Sequence, residues 1–161
     1  MIIRNVQIFG ENRTFTQGDI IVHNGKFAED SLQNEKVTDG QGWYAIPGLI
    51  DIHFHGCAGY DFCDGNEEAL EKISAYEASV GVTSICPASM TIEETKLYQA
   101  MKNAGEYTYR GGAKLQGIHM EGPFIGEKKK GAQAAGISVP VIWSCTRDCR
   151  QRQGDRYVLW M

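Results

Sequence analysis

The sequence predicts an α/β fold in which parallel strands alternate with helices, preceded by a set of short β-strands. Residues 1–46 contain short apolar runs separated by polar turns, a pattern typical of small strands. From residue 47 onward, strand-length apolar runs alternate with segments of helical periodicity, which favours βαβ units in a parallel sheet. Residues 136–161 fit neither pattern. We therefore expect three parts, with boundaries at 1–46, 47–135 and 136–161.

The N-terminal part resembles a piece of a β-sandwich. Asp19–His23 and Lys26–Ala28 are short runs that flank the dipeptide Asn24-Gly25. Asn-Gly between two such runs indicates a tight hairpin, because both residues tolerate a positive φ.

The second part has a regular order of elements. An almost wholly apolar strand at 49–54 is expected to be covered on both faces, as in a parallel sheet. Apolar residues at helical spacing follow at 66–80, and a second strand follows at 82–87. Thr91 and Glu94 have the spacing of a capping box and predict the start of a second helix. A third strand is expected at 114–120.

Composition excludes several classes of function. The 161 residues carry a net charge of −4 and are 42% hydrophobic, with no basic stripe, which argues against nucleic acid as a partner. No apolar stretch approaches the length needed to cross a membrane, and no signal peptide is visible. Five cysteines without a Cys-x-x-Cys pair favour free thiols in the cytoplasm. We expect Cys57 and Cys63 to pack as small apolar side chains.

The first strand ends in a His-x-His pair that predicts half of a metal site. His53 and His55 are two residues apart, so on a strand both imidazoles point to one face. Asp51 shares this parity and is a candidate for supporting the pair. Two convergent imidazoles are well suited to a divalent transition metal.

Glu121 is the candidate third ligand. It follows the third predicted strand, and the carboxyl ends of parallel strands meet at one rim. Two imidazoles and a carboxylate hold a metal and leave positions open for water and substrate. His119, two residues earlier, is either a support beneath the metal site or a core histidine satisfied by its neighbours.

These segments together resemble the N-acetylglucosamine-6-phosphate deacetylase family of the amidohydrolase superfamily. The His-x-His strand indicates the superfamily, whereas the later segments are more specific to the deacetylases. The resemblance covers residues 1–135 and is carried by Pro47–Gly65, Gly81-Val82-Thr83, His119–Phe124 and Lys129–Gln133.

The resemblance implies a (β/α)8 barrel, of which this chain holds about three βα units, together with a small β-sandwich. It implies metal-dependent hydrolysis of the N-acetyl group of N-acetylglucosamine 6-phosphate, with Zn, Fe, Mn or Co as the divalent metal. The family assigns metal binding to the positions of His53, His55 and Glu121. It places Ala132 and Gln133 in the loop that touches the sugar, and the full-length family is expected to form homo-oligomers.

The chain departs from the family pattern in what it lacks. A complete barrel takes about 250 residues, and no residue here matches the family's catalytic aspartate. We therefore expect the isolated chain to be inactive and, with open strand edges, poorly stable. Residues 136–161 are dense in Arg, Cys and Trp, and our hypothesis is that a frameshift near residue 135 produced them. The alternative is a natural C-terminal helix of a smaller protein, and translation of the DNA in the other two frames tests the frameshift hypothesis.

Two alternatives remain open from the sequence. One is another amidohydrolase, such as a dihydroorotase-like or hydantoinase-like enzyme. The other is a metal-binding fragment without catalytic activity.

Overall fold

The computed structural model describes residues 1–30, 34–122, 125, 128 and 130–133, together with the backbone of Tyr157–Trp160. The chain divides into two compact units, Met1–Pro47 and Gly48–Met161. The described residues contain no helix of the length and apolarity required to cross a membrane.

The first unit is a five-stranded mixed sheet. Its strands are β1 Ile2–Phe9, β2 Phe15–His23, β3 Lys26–Ala28, β4 Val37–Asp39 and β5 Tyr44–Ala45. Their order is β3-β2-β1-β4, and β5 pairs with β1 beyond the end of β4. The pairs β1–β2 and β2–β3 are antiparallel, whereas β4 and β5 run parallel to β1.

The predicted hairpin at Asn24-Gly25 is confirmed. His23 pairs with Lys26 across a two-residue turn. Asn24 and Gly25 have φ values of 51° and 73°, the positive values that the tight hairpin turn requires. Local sequence therefore sets the register of β2 and β3.

The second unit follows the predicted order of strand, helix, strand, helix, strand. Its elements are β6 Leu49–Asp51, β7 Gly56–Cys57, β8 Tyr60–Asp61, α1 Glu67–Ser79, β9 Val82–Ile85, α2 Glu94–Glu106, β10 Lys114–Leu115 and β11 Gly117–Met120. Strands β6, β9 and β10 pair in parallel in the order β10-β9-β6, which agrees with the expected α/β class. The third predicted strand is thus divided at Gln116 into β10 and β11.

The two helices and this sheet enclose the core of the second unit. Asn66 caps α1 by accepting a hydrogen bond from the amide of Ala69, and Gly81 follows the helix with a φ of 92°. The buried cluster combines residues of both helices with residues of the strands: Phe62, Leu70, Ile73, Val82, Ile85, Leu97, Ala100, Met101, Ala104, Tyr107, Ala113, Leu115, Ile118 and Met120.

The expectation of a strand at 49–54 covered on both faces is wrong in length and in burial. β6 ends at Asp51, and the side chains of Leu49 and Ile50 are 51% and 67% exposed. The reason is that β6 forms an edge of the three-stranded sheet made by the described residues. The apolar residues of this run would suit a strand covered on both faces, but a side chain is buried only where a neighbouring element contacts it.

The predicted capping box at Thr91 is also wrong. Helix α2 begins at Glu94 with Glu93 as its N-cap residue, and no side chain caps it. Thr91 is instead buried, and its backbone amide donates to the side-chain oxygen of Gln133 at 2.6 Å. A contact distant in sequence thus overrides a local pattern.

Most of the segment 136–161, including the proposed frameshift region, lies outside the described residues. The backbone of Tyr157–Trp160 forms β12, which pairs in parallel with β11.

The adjacent glycines 111 and 112 give a direct test of the packing against α1. Both have a positive φ, but a Cβ at Gly112 would lie 2.7 Å from the backbone oxygen of Ser74, whereas a Cβ at Gly111 meets nothing within 4 Å. We expect Gly112→Ala to lower the free energy of unfolding by about 1–3 kcal/mol more than Gly111→Ala. Urea denaturation measures both, and equal losses would contradict the described packing.

Candidate metal centre

Three side chains from two segments of the second unit converge on one point. The Nε2 atoms of His53 and His55 lie 3.7 and 3.4 Å from Oε2 of Glu121. One ligand atom from each residue lies within 4.8 Å of those of the other two. The structure therefore brings together the His-x-His pair and the carboxylate at the carboxyl end of β11, although the pair follows β6 rather than lying within it.

His55 is oriented for metal binding by the main chain. Its Nδ1 lies 3.2 Å from the carbonyl oxygen of Ala88. A carbonyl only accepts, so Nδ1 carries the proton and Nε2 presents its lone pair toward Glu121. This arrangement is the usual support for a metal-binding histidine.

His53 is held from two sides. Its backbone amide donates to the Asp51 carboxylate at 3.0 Å, so Asp51 supports the His-x-His segment as the sequence suggested. The ring of His119 lies edge-on to the ring of His53, with 4.6 Å between centroids. His119 is 4% exposed, and its Nδ1 lies 3.0 Å from the Ile52 carbonyl oxygen and 3.4 Å from Nδ1 of His53. Its buried Nε2 has no hydrogen-bond partner among the described residues, so the expectation of a core histidine satisfied by its neighbours is wrong at that atom, and its support of a metal site stays a prediction.

Glu121 carries the strongest indication of a ligand. Its Oε2 is buried and has no hydrogen-bond partner among the described residues, although it lies between two imidazoles. A buried carboxylate oxygen without a partner is costly. Two imidazole nitrogens and a carboxylate oxygen are also the donor set of many transition-metal sites, so the residues present fit a divalent ion.

Sequence reasoning missed Ala88 and Ser89, which follow β9. The Ser89 hydroxyl accepts a hydrogen bond from the Glu121 amide at 3.1 Å, and the Ala88 carbonyl holds His55. Alanine and serine after a strand are common, so no local signal distinguishes them. Their role arises from where the parallel pairing of the strands places them.

The nearby cysteines pack against the core as expected and lie outside this group of three. Burial, followed by the charge of Glu77, raises the pKa of the Cys57 thiol to about 11. Burial raises the pKa of Cys63 to about 11 as well, and its sulfur accepts a hydrogen bond from the Met90 amide at 3.2 Å. Metals bind the thiolate, so both environments oppose ligation.

The predicted sugar-contacting residues lie in a turn over 130–133. Ala132 is exposed, whereas Gln133 is buried. The Gln133 side chain accepts from the Thr91 amide, and the Lys130 ammonium donates to the Gln133 carbonyl at 3.0 Å. The side chain of Gln133 therefore anchors this turn to the segment after β9.

Comparison with known proteins gives a consistent result. The chain is 33% identical over 144 residues to N-acetylglucosamine-6-phosphate deacetylase of Bacillus subtilis (strain 168), covering 83% of this chain and 36% of that protein. It is 30% identical over 139 residues to the enzyme of the same name from Lysinibacillus sphaericus, with the same coverage. No protein-family model matches the chain. It thus spans about a third of the length of these curated relatives.

The fold agrees with a solved structure of the same name. N-acetylglucosamine-6-phosphate deacetylase from Pasteurella multocida superposes with a TM-score of 0.82 at 23% identity. The superposition covers 94% of this chain and 42% of that protein. At this identity the likeness establishes the fold alone.

The geometry predicts that the isolated chain binds a divalent metal through Glu121. Glu121→Gln keeps the size of the side chain but removes its charge, so we expect the affinity for Zn²⁺ to fall at least about 10-fold. Isothermal titration calorimetry measures this, with Glu94→Gln on the exposed start of α2 as the matched control. Equal affinities for the two variants would contradict the assignment.

The raised thiol pKa values predict slow alkylation. Because both pKa values are about 11, Cys57 and Cys63 stay protonated at pH 8 and become reactive only as the pH approaches 11. Iodoacetamide labelling followed by peptide mass spectrometry should show each thiol reacting more slowly in the folded chain than in urea. Rapid labelling of either residue in the folded chain at pH 8 would disprove this.

Proposed function

We propose that this chain, a relative of the N-acetylglucosamine-6-phosphate deacetylases, is the metal-binding N-terminal part of such an enzyme. The reaction would be hydrolysis of the N-acetyl group of N-acetylglucosamine 6-phosphate to glucosamine 6-phosphate and acetate. The observation that carries the proposal is the partnerless Glu121 oxygen facing two histidine Nε2 atoms, in a chain similar to deacetylases over 83% of its length. This kinship favours a deacetylase over a dihydroorotase-like or hydantoinase-like enzyme.

His53, His55 and Glu121 would hold the ion, with Zn, Fe, Mn or Co as candidates. A bound divalent ion polarises an amide carbonyl and lowers the pKa of water toward neutrality. The protein supplies the orientation: the Ala88 carbonyl fixes the proton of His55 on Nδ1, so that Nε2 is free to ligate. The Glu121 carboxylate adds the negative charge that a dication prefers.

The turn at 130–133 is the proposed sugar contact. Ala132 is exposed and would face the substrate, while Gln133 acts by fixing the turn through the Thr91 amide. The burial of Gln133 is consistent with a supporting role without direct contact with the sugar.

The finer architecture is part of the same proposal. The strands β6, β9 and β10–β11 with helices α1 and α2 would be the first βα units of a (β/α)8 barrel, and the first unit would belong to a β-sandwich. The exposed Leu49 and Ile50 of β6 support this, because the further strands and helices of a barrel would cover such side chains. The proposed partner is a small amino sugar phosphate, and the proposed compartment is the cytoplasm.

A chimera tests the function directly. Residues 1–133 of this chain would replace the corresponding segment of the Bacillus subtilis relative, which supplies the remaining two thirds of the protein. We expect the chimera to release acetate from N-acetylglucosamine 6-phosphate, and Glu121→Gln in the chimera to lower kcat/KM by about 100-fold or more.

The isolated 161-residue chain is the negative control, from which we expect no acetate release. Circular dichroism and metal analysis establish that each protein is folded and loaded. A folded, metal-containing chimera without activity would contradict the proposed function.

A further inference from the structure

We propose that Ser89 is a positioning residue of the candidate metal centre, whose hydroxyl fixes the main chain of Glu121 and so places its carboxylate between the two imidazoles. The inference rests on the proposed metal-binding function and adds to it a residue outside the group of three ligands. Ser89 would act through Glu121, without touching the metal or the substrate.

Ser89 hydrogen-bonds the main chain of His119, in β11, and of Glu121, the residue that follows β11. Its own amide donates to the His119 carbonyl at 2.9 Å. Its hydroxyl accepts from the Glu121 amide at 3.1 Å and donates to the Glu121 carbonyl oxygen at 3.5 Å. Ser89 is fully buried, so water does not compete for these hydrogen bonds.

The Ser89 hydroxyl hydrogen-bonds the main chain just beyond the end of β11. Glu121 follows the last residue of β11, and the chain then turns at Gly122, whose φ is 81°. Thr91 packs directly against this turn, since a Cβ at Gly122 would clash with the Thr91 hydroxyl. The Ser89 hydroxyl therefore supplies a side-chain partner to an amide just beyond the regular sheet.

Two consecutive residues, Ala88 and Ser89, contact candidate ligands that follow two different strands. The Ala88 carbonyl sets the proton position of His55, and the Ser89 hydroxyl sets the backbone position of Glu121. The segment itself is anchored by Cys63, which accepts from the Met90 amide, and by Gln133, which accepts from the Thr91 amide. This anchoring makes the segment a fixed reference for both ligands.

Loss of the hydroxyl has a defined consequence. Ser89→Ala leaves the Glu121 amide without its acceptor in a buried site, so the main chain at Glu121 must shift or fluctuate. Because outer-shell partners of metal ligands typically contribute 10–100-fold to metal affinity, we expect about a 10-fold loss.

Ser74→Ala is the matched control. Ser74 is also a buried serine, 1% exposed, and its hydroxyl donates to the Ala113 carbonyl at 2.7 Å, joining α1 to the segment before β10. Its removal should destabilise the fold without reaching Glu121. Ser89→Gly provides a second variant of the site itself, since it also removes the hydroxyl and introduces no group that binds a metal.

The experiment measures two quantities on the 161-residue chain and its variants. Amide hydrogen exchange at Glu121, followed by NMR in the absence of metal, reports whether the hydroxyl holds the main chain. Isothermal titration with Zn²⁺ reports whether that restraint matters to the site. We expect exchange at Glu121 to accelerate at least about 10-fold and Zn²⁺ affinity to fall about 10-fold in both Ser89 variants, with neither change in Ser74→Ala.

Several results would overturn the inference. Ser89 would have only a structural role if amide exchange at Glu121 or Zn²⁺ affinity were unchanged in the Ser89 variants. The same conclusion would follow if Ser74→Ala lost as much Zn²⁺ affinity as they do. Failure of the unaltered chain to bind Zn²⁺ would instead contradict the proposed function, and the exchange at Glu121 would then decide alone whether Ser89 restrains it.

Discussion

The parallel pairing between the segment after β9 and the end of β11 is the constraint on which the candidate site depends. The His119 amide donates to the Pro87 carbonyl at 2.9 Å, and the Ser89 amide donates to the His119 carbonyl. This alternation fixes the register of the two segments. It places Glu121 beside Ser89, and the adjacent Ala88 carbonyl faces His55. A shift of one residue would turn Glu121 to the opposite face.

The helices support this pairing from beneath. Ile85 of β9 and Ile118 of β11 are buried in one cluster with Leu70 of α1 and Leu97 of α2. Fully burying such a side chain stabilises the fold by about 1.5–3 kcal/mol. The same cluster that fixes the helices therefore holds the two strands whose ends carry the site. The packing of this core therefore also positions the residues of the candidate metal site.

Sequence reasoning succeeded where the determining interactions are local. The Asn24-Gly25 turn follows from the φ preferences of two residues, and α1 follows from its helical periodicity. The convergence of His53 and His55 follows from the alternation of an extended chain. The position of Glu121 beside these histidines was predicted by a less local argument, since the carboxyl ends of parallel strands share one edge.

The misses involve contacts between residues distant in sequence. Thr91 has the spacing of a capping residue, but Gln133, 42 residues away, binds its amide. Leu49 and Ile50 are apolar, but burial depends on neighbouring strands rather than on composition. Ser89 has no distinctive neighbours in the sequence. X-ray absorption spectroscopy of the zinc-loaded chain tests the central claim most directly: we predict a first shell of nitrogen and oxygen only, whereas sulfur scattering at about 2.3 Å would contradict it.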